Sequence, residues 1–245
     1  MNIAITAGGT SEHIDAVRAI TNTGTGTLAA LIVNTFINNY SDKIDKIFYI
    51  HTTKAKLPEI NDKIIFIPVE DTNSVKNAVE KVLTENKIDY FIHAMAISDY
   101  YVDFVTSAER IKEVVDAQSY NTVNDFYVQI ESTKMDNSKK LSSNEDNLVV
   151  MLRKTPKIIG LIKEVSPDTH LIGFKLLNNV TTDELINVAY NLLNKNLCDY
   201  VVANDSTKIT ANYHEAHIVD KDKNYITVTS NESIANELGK IIFNN

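Results

Sequence analysis

Apolar positions along the chain change period several times. Residues 3–7 form a short apolar run that stops at Gly8 and Gly9, the pattern of a buried strand followed by a turn. Within 25–39, Leu28, Leu31, Ile32 and Phe36 recur at helical spacing. Ala29, Ala30, Val33 and Ile37 widen that surface, which predicts a helix buried on more than one side. Residues 47–51 and 64–69 predict a second and a third strand. Residues 72–86 predict an amphipathic helix with Val75, Ala78, Val79 and Val82 inward, and 90–94 a fourth strand. Such alternation implies parallel strands with helices on both faces, an α/β fold.

The pattern lapses over 101–148, which is polar and shows no clear period. A stretch of this length inside a compact domain is read as an inserted flap with a function of its own. Order returns with a strand at 148–152, a helix at 156–165 opened by Pro156, and a strand at 171–176. A helix follows at 181–194, with Thr181 or Thr182 as N-cap and Asp183 and Glu184 in its first turn. Residues 200–203 predict a central buried strand, 216–219 and 225–228 a C-terminal β-hairpin, and 232–243 a closing helix. The whole of 1–245 reads as a single domain carrying the flap at 101–148.

The net charge of −8 gives no support to binding of nucleic acid or an anionic membrane surface. Cys198 is the single cysteine, which excludes an internal disulfide and fits a reducing compartment. It precedes a very apolar strand and reads as a small buried residue. Nothing at the start of the chain has the form of a leader peptide, and no run approaches the length of a membrane span. The expected location is the cytoplasm.

Three segments carry candidate chemistry. The turn Thr6-Ala7-Gly8-Gly9-Thr10 closes the first strand, where glycines let backbone amides approach a phosphate; its simple structural reading is a tight turn needing positive φ. Asn22-Thr23-Gly24-Thr25-Gly26-Thr27 leads into a helix whose unpaired N–H groups favour anions, and Arg18 lies just upstream. Second is His93-Ala94-Met95-Ala96-Ile97-Ser98-Asp99-Tyr100, after the fourth strand. Small residues leave room there for a ring or ribose, and Asp99 can hold Mg²⁺ bridged to phosphates. Alternatively, Ser98 and Asp99 cap a short helix. Third is Lys139-Lys140-Leu141-Ser142-Ser143 in the flap, read either as a closing cation or as solvated surface charge.

Other chemistries fit poorly. The first turn lacks Gly-x-Gly-x-x-Gly, the second strand ends His51-Thr52-Thr53 without an acid, and no tyrosine is followed by lysine four residues later. These features count against the runner-up, an NADP-dependent reductase using Lys54 and Lys56. A catalytically inactive nucleotide-binding regulator is a further alternative. His214 and His217 are three apart on a predicted hairpin, which does not match a zinc helix motif.

Taken in order, these segments resemble the phosphopantothenate–cysteine ligases over essentially the whole chain. The matching segments are Thr6 to Thr10 with Ile14-Asp15-Ala16-Val17-Arg18 and Ile20-Thr21-Asn22, then Ala96 to Tyr100, then Lys140-Leu141-Ser142-Ser143. Val149 to Ile158, Ile172-Gly173-Phe174-Lys175 and Lys195 through Ala203-Asn204-Asp205 follow. The resemblance is closest to the monofunctional bacterial branch. It implies a Rossmann-like parallel sheet flanked by helices, a homodimer, and the substrates 4'-phosphopantothenate, L-cysteine and a nucleoside triphosphate, usually CTP with ATP possible, together with Mg²⁺. Asn22 would bind phosphopantothenate and stabilise an acyl-nucleotide. Gly8, Gly9, Thr10 and Arg18 would lie at that substrate. Lys140 would clamp the triphosphate, and Asp99 would carry the metal. His93, Ala94, Met95, Asp99, Thr155, Pro156, Lys157, Ile158, Phe174 and Lys195 would line the nucleotide site. Thr155-Pro156-Lys157-Ile158 departs from the usual Asn-Pro-Asp-Ile at the base, which bears on CTP selectivity. Asn191, Gly24 and Ala29 are lesser departures, replacing a lysine, a serine and a glycine.

Overall fold

The computed structural model describes residues 1–117, 120–144, 146–210 and 213–244. In chain order the elements begin β1 (Asn2–Ala7), β2 (Ser11–His13), β3 (Ala19–Thr21), α1 (Thr27–Tyr40), β4 (Lys46–Thr52) and β5 (Ile64–Val69). Then come α2 (Thr72–Glu85), β6 (Tyr90–His93), β7 (Tyr100–Ser107), α3 (Ala108–Ala117), α4 (Val123–Ser132) and β8 (Leu148–Lys154). The chain closes with α5 (Ile158–Val165), β9 (His170–Leu177), α6 (Thr182–Asn196), β10 (Tyr200–Ile209), β11 (His214–Val219), β12 (Tyr225–Val228) and α7 (Asn231–Phe243). They form two compact units, one of Met1–Gly9, Thr23–Ile97 and Lys157–Asn245, the other of Thr10–Asn22 and Ser98–Pro156.

The first unit holds an eight-stranded sheet in the order β12-β11-β10-β9-β6-β1-β4-β5. Strands β5 through β10 in that order pair in parallel, and β11 and β12 add antiparallel at one edge. Alternating residues of each strand feed two cores, as period-two geometry requires. Ile3, Ile5, Tyr49, Ile92, Ile172 and Val202 face α1 and α7, while Ala4, Phe48, Phe91, Leu171 and Val201 face α2, α5 and α6. Helix α1 buries Ala29, Ala30, Ile32, Val33 and Phe36, and Phe36 meets Phe243 of α7 edge-on at 5.2 Å. This is the two-sided burial that its composition predicts.

Local boundaries differ from the expected ones for identifiable reasons. Helix α1 starts at Thr27, since Gly26 takes a left-handed φ of 71° and no earlier residue is helical. Helix α5 starts at Ile158 rather than Pro156, because Lys157 is extended with ψ 106°. Thr181 is the cap of α6 and accepts from the Glu184 amide. Strand β10 runs well past the predicted 200–203, and β11 starts at His214, two residues before the predicted hairpin strand.

The second unit contains two antiparallel pairs, β2 with β3 and β7 with β8, together with α3 and α4. The expected flap at 101–148 therefore carries a strand and two helices, and it is grouped with Thr10–Asn22. Helix α3 buries only Val114 and α4 only Ile130. One buried apolar residue per helix leaves no 3.6-residue period to read. Helix α4 is nonetheless set by local chemistry, a capping box between Thr122 and Asp125. Among the described residues no helix is long and apolar enough to cross a membrane.

Candidate functional site

In the first unit the carboxyl ends of β1, β4 and β6 come together around glycines. Gly8 has φ +98°, and a Cβ there would collide with the Thr52 side chain and lie 2.9 Å from Ala55. A Cβ on Gly26 would meet the same Ala55 methyl at 2.9 Å, and one on Gly24 would lie 2.5 Å from the Gly8 carbonyl. Only backbone fits in this space. The Gly8 carbonyl accepts from the Ala96 amide at 2.9 Å, Gly9 bridges to Ala96, and the Lys56 amide donates to the Thr25 carbonyl at 2.9 Å. Thr6 ties β1 to the end of β6: its hydroxyl accepts from the Met95 amide at 3.2 Å and is 3.1 Å from His93 Nδ1. Burial pushes the His93 imidazole down to about 4, so it is neutral at physiological pH.

The sheet register extends this cluster. His93 pairs with Gly173, the residue before Phe174, and a Cβ on Gly173 would touch Ile159 at 3.0 Å and Leu192 at 3.3 Å. Asn196 Oδ1 lies 3.6 Å from where a Gly160 Cβ would stand, so the last turn of α6, with Lys195, runs beside the first turn of α5. Ala94 and Phe174 pack toward α1 and α7, whereas Met95 and Ile158 pack toward α2 and α6. The expected nucleotide residues of this unit thus straddle the sheet where β6 ends. Lys157 and Lys195 are exposed.

The second unit gathers the rest. Strands β2 and β3 form a hairpin with Ser11 opposite Thr21 and His13 opposite Ala19, closed by the Asn22 amide on the Thr10 carbonyl at 3.0 Å. At its tip the Asp15 carboxylate is the hub. Oδ1 accepts from the amides of Val17 at 2.9 Å and Arg18 at 2.8 Å. Oδ2 accepts from Arg18 Nε at 2.9 Å, Arg18 Nη2 at 2.5 Å and the Leu141 amide at 3.0 Å. The Arg18 guanidinium beside Asp15 holds this carboxyl well below the usual carboxylate range. Asn137 Nδ2 adds a bond to the Ile14 carbonyl at 3.2 Å. Leu141 is buried and Lys140, its neighbour, is exposed.

Ser98 and Asp99 cap no helix; they lead into β7. The Ser98 amide donates to Thr10 Oγ1 at 2.9 Å, Thr155 Oγ1 donates to the Ser98 carbonyl at 2.6 Å, and the Thr155 amide donates to the Asp99 carbonyl at 3.0 Å. The hydroxyls of Thr10 and Thr155 are therefore engaged in joining their own segments. The candidate residues divide between the units: Gly8, Gly9, His93, Ala94, Met95, Lys157, Ile158, Phe174 and Lys195 in the first; Thr10, Arg18, Asn22, Asp99, Lys140, Thr155 and Pro156 in the second. In the sequence Asp15 stands out only as part of the 14–18 motif. Its signal was an aspartate three residues ahead of an arginine in a turn-forming segment.

The chemistry available is electrostatic. The first unit offers a glycine turn, and the second a guanidinium and an ammonium, groups that bind and neutralise anions. Cys198 is buried and its thiol is pushed up to about 12, so it serves poorly as a nucleophile. No group of three or more His, Cys, Asp or Glu side chains among the described residues is placed to hold a metal. Mg²⁺ commonly takes one carboxylate and completes its shell with water and phosphate oxygens, and the exposed Asp99 fits that mode.

The sequence matches the family described as the DNA/pantothenate metabolism flavoprotein C-terminal domain over residues 1–125 and 121–244. It is 27% identical over 220 residues to the coenzyme A biosynthesis bifunctional protein CoaBC of Thermococcus kodakarensis, covering 90% of this chain and 45% of that protein. The chain spans less than half the length of the curated relatives it matches. Among solved structures, the DNA/pantothenate metabolism flavoprotein from Streptococcus pneumoniae is 36% identical, with a TM-score of 0.83 over 99% of this chain and 98% of that one. The C-terminal domain of a CoaBC protein shares the fold, with a TM-score of 0.68 at 20% identity over 98% and 93% of the two chains.

Proposed function

This chain belongs to the family of the DNA/pantothenate metabolism flavoprotein C-terminal domain, and from that premise we propose that it is a phosphopantothenate–cysteine ligase of coenzyme A biosynthesis. The observation that carries the reading is the Leu141 amide on Asp15, which holds the segment of Lys140 to the hairpin of Arg18 and Asn22. Arg18, Asn22 and Lys140 thereby share one small unit.

In this reading the phosphopantothenate carboxylate attacks the α-phosphate of CTP. An acyl-cytidylate forms and pyrophosphate leaves. The amine of L-cysteine then attacks the acyl carbon, CMP leaves, the amide remains and one proton is released. Such chemistry asks the protein for alignment and charge neutralisation rather than a nucleophile. Arg18 draws the anionic substrate, Asn22 binds it and the acyl intermediate, and Lys140 neutralises charge on the departing pyrophosphate. Gly8, Gly9 and Thr10 line the substrate, and His93 to Met95 with Thr155, Pro156, Lys157, Ile158, Phe174 and Lys195 line the nucleotide. Mg²⁺, when bound by Asp99, would offset triphosphate charge.

The residues 1–245 act together as one ligase domain, with 101–148 supplying the closing segment. We place the activity in the cytoplasm, where cysteine stays reduced. The active form is a homodimer formed through the second unit. Val123, Tyr127 and Val128 of α4 are exposed, and a cleft of about 400 Å³ beside them is lined by Phe104, Met151, Leu152 and the Asp103–Arg153 ion pair. The decisive assay follows pyrophosphate with phosphopantothenate, CTP or ATP, and then amide formation after cysteine is added. Pyrophosphate release that does not depend on phosphopantothenate, or none with any nucleotide, rejects the ligase reading. Faster turnover with ATP would reverse the choice of CTP.

A further inference from the structure

We propose that Asp15 is a positioning residue for this reaction, one carboxylate that sets both the Arg18 guanidinium and the backbone beside Lys140. The proposal rests on the ligase reading, and it follows from how the two oxygens are used. Oδ1 serves the hairpin's own turn through the amides of Val17 and Arg18. Oδ2 serves the guanidinium and the backbone beside Lys140, taking Nε and Nη2 of Arg18 and the amide of Leu141. The Asp15 side chain is fully buried while that of Arg18 is 43% exposed, so the guanidinium reaches from a buried anchor to the surface. Bonding Nε and Nη2 to one carboxylate oxygen takes up one edge of the guanidinium and fixes the orientation of its plane. Arg18 Nη2 also lies 3.5 Å from the Leu141 carbonyl, which closes a ring of contacts among the three residues.

The consequence for Lys140 is mechanical. Residues 138–144, except the buried Leu141, are exposed, and the amide of Leu141 ties this stretch to the hairpin. An exposed lysine adjoining a pinned residue keeps its reach yet searches a smaller volume than one on an untethered loop, which lowers the entropy lost on forming the reactive arrangement. The negative charge also matters. Asp15 stays anionic at working pH, so its bonds to Arg18 and Leu141 are charge-assisted.

Asp15→Asn tests this cleanly. The amide oxygen can keep the two turn bonds of Oδ1, but the Nδ2 group then faces the Leu141 N–H and the guanidinium, donor against donor. In pyrophosphate release, kcat is expected to fall about ten- to a hundredfold and the KM for phosphopantothenate to rise severalfold. If Asp15 acts through Lys140, the Asp15→Asn, Lys140→Gln double variant has a kcat within about twofold of Lys140→Gln alone. Multiplicative losses would overturn the proposal, and so would an Asp15→Asn enzyme with unchanged kcat and KM. Amide hydrogen exchange on the unsubstituted protein gives an arm independent of activity and of any variant's folding. Leu141 should be protected among fast-exchanging neighbours, and rapid exchange at Leu141 would remove the tether. A wild-type protein that releases no pyrophosphate rejects the ligase reading, whereas the exchange result judges the Asp15 contact alone.

Discussion

The amide of Leu141 and the carboxylate of Asp15 meet at 3.0 Å across 126 residues of sequence. Neither residue touches chemistry in the proposed mechanism, yet their contact ties the backbone beside Lys140 to the turn that carries Arg18. Lys140 and Arg18 are both exposed, and exposed cations have no defined position unless the backbone beneath them does. The contact supplies that backbone position.

Lys140→Gln should lower pyrophosphate release at least about a hundredfold, the usual cost of removing a group aimed at developing charge. The melting temperature should stay within about 1 °C of wild type, because the side chain is solvated. Turnover near normal would remove Lys140 from the mechanism.

Gly8→Ala should destabilise the first unit by about 2 kcal/mol or more. The cause is twofold: φ of +98°, which side-chain-bearing residues rarely adopt, and a Cβ driven into Thr52 and Ala55. A denaturant midpoint equal to wild type would show that the turn has another conformation in solution. Gly160→Ala is the control, since its nearest neighbour would be 3.6 Å away.

Stability should decline as pH is lowered through the window set by His93. Its folded value, about 4, lies below the ordinary 6.5, so the unfolded chain binds the proton more readily. The contribution is intact above about pH 6.5 and is lost progressively toward pH 4, amounting to about 3 kcal/mol at most. Urea unfolding at stepped pH reads this directly. In His93→Gln the slope over that window should flatten, and an unchanged slope would assign it to other groups. Asp15 adds a second loss at lower pH: its depressed carboxyl stabilises the fold above the ordinary carboxylate range and stops doing so once it is protonated.

Val128→Asp should convert the proposed dimer to monomer in sedimentation. The residue is 57% exposed beside the cleft of the second unit, so charge there costs little in an isolated chain and much in an interface. An unaltered dimer would place the interface elsewhere.

Much of the fold follows from local rules that a sequence displays. The parallel strands of the first unit are near-continuous apolar runs because both of their faces are buried, and α1, α2 and α6 carry periods or caps readable residue by residue. The glycine turns were legible for a related reason: at Gly8 and Gly26 a positive φ narrows the choice of residue. Tertiary structure decided the rest. Helices α3 and α4 bury one apolar residue each among the described positions, so their sequence looks like a polar flap. The segments 10–22 and 98–156 are joined by long-range hydrogen bonds at Asp15, Thr10 and Asn137, and a hydrogen bond between distant polar residues leaves no periodic trace in a sequence. Hydrophobic burial is encoded by spacing along the chain; the pairing of one carboxylate with one distant amide exists only after the chain has folded.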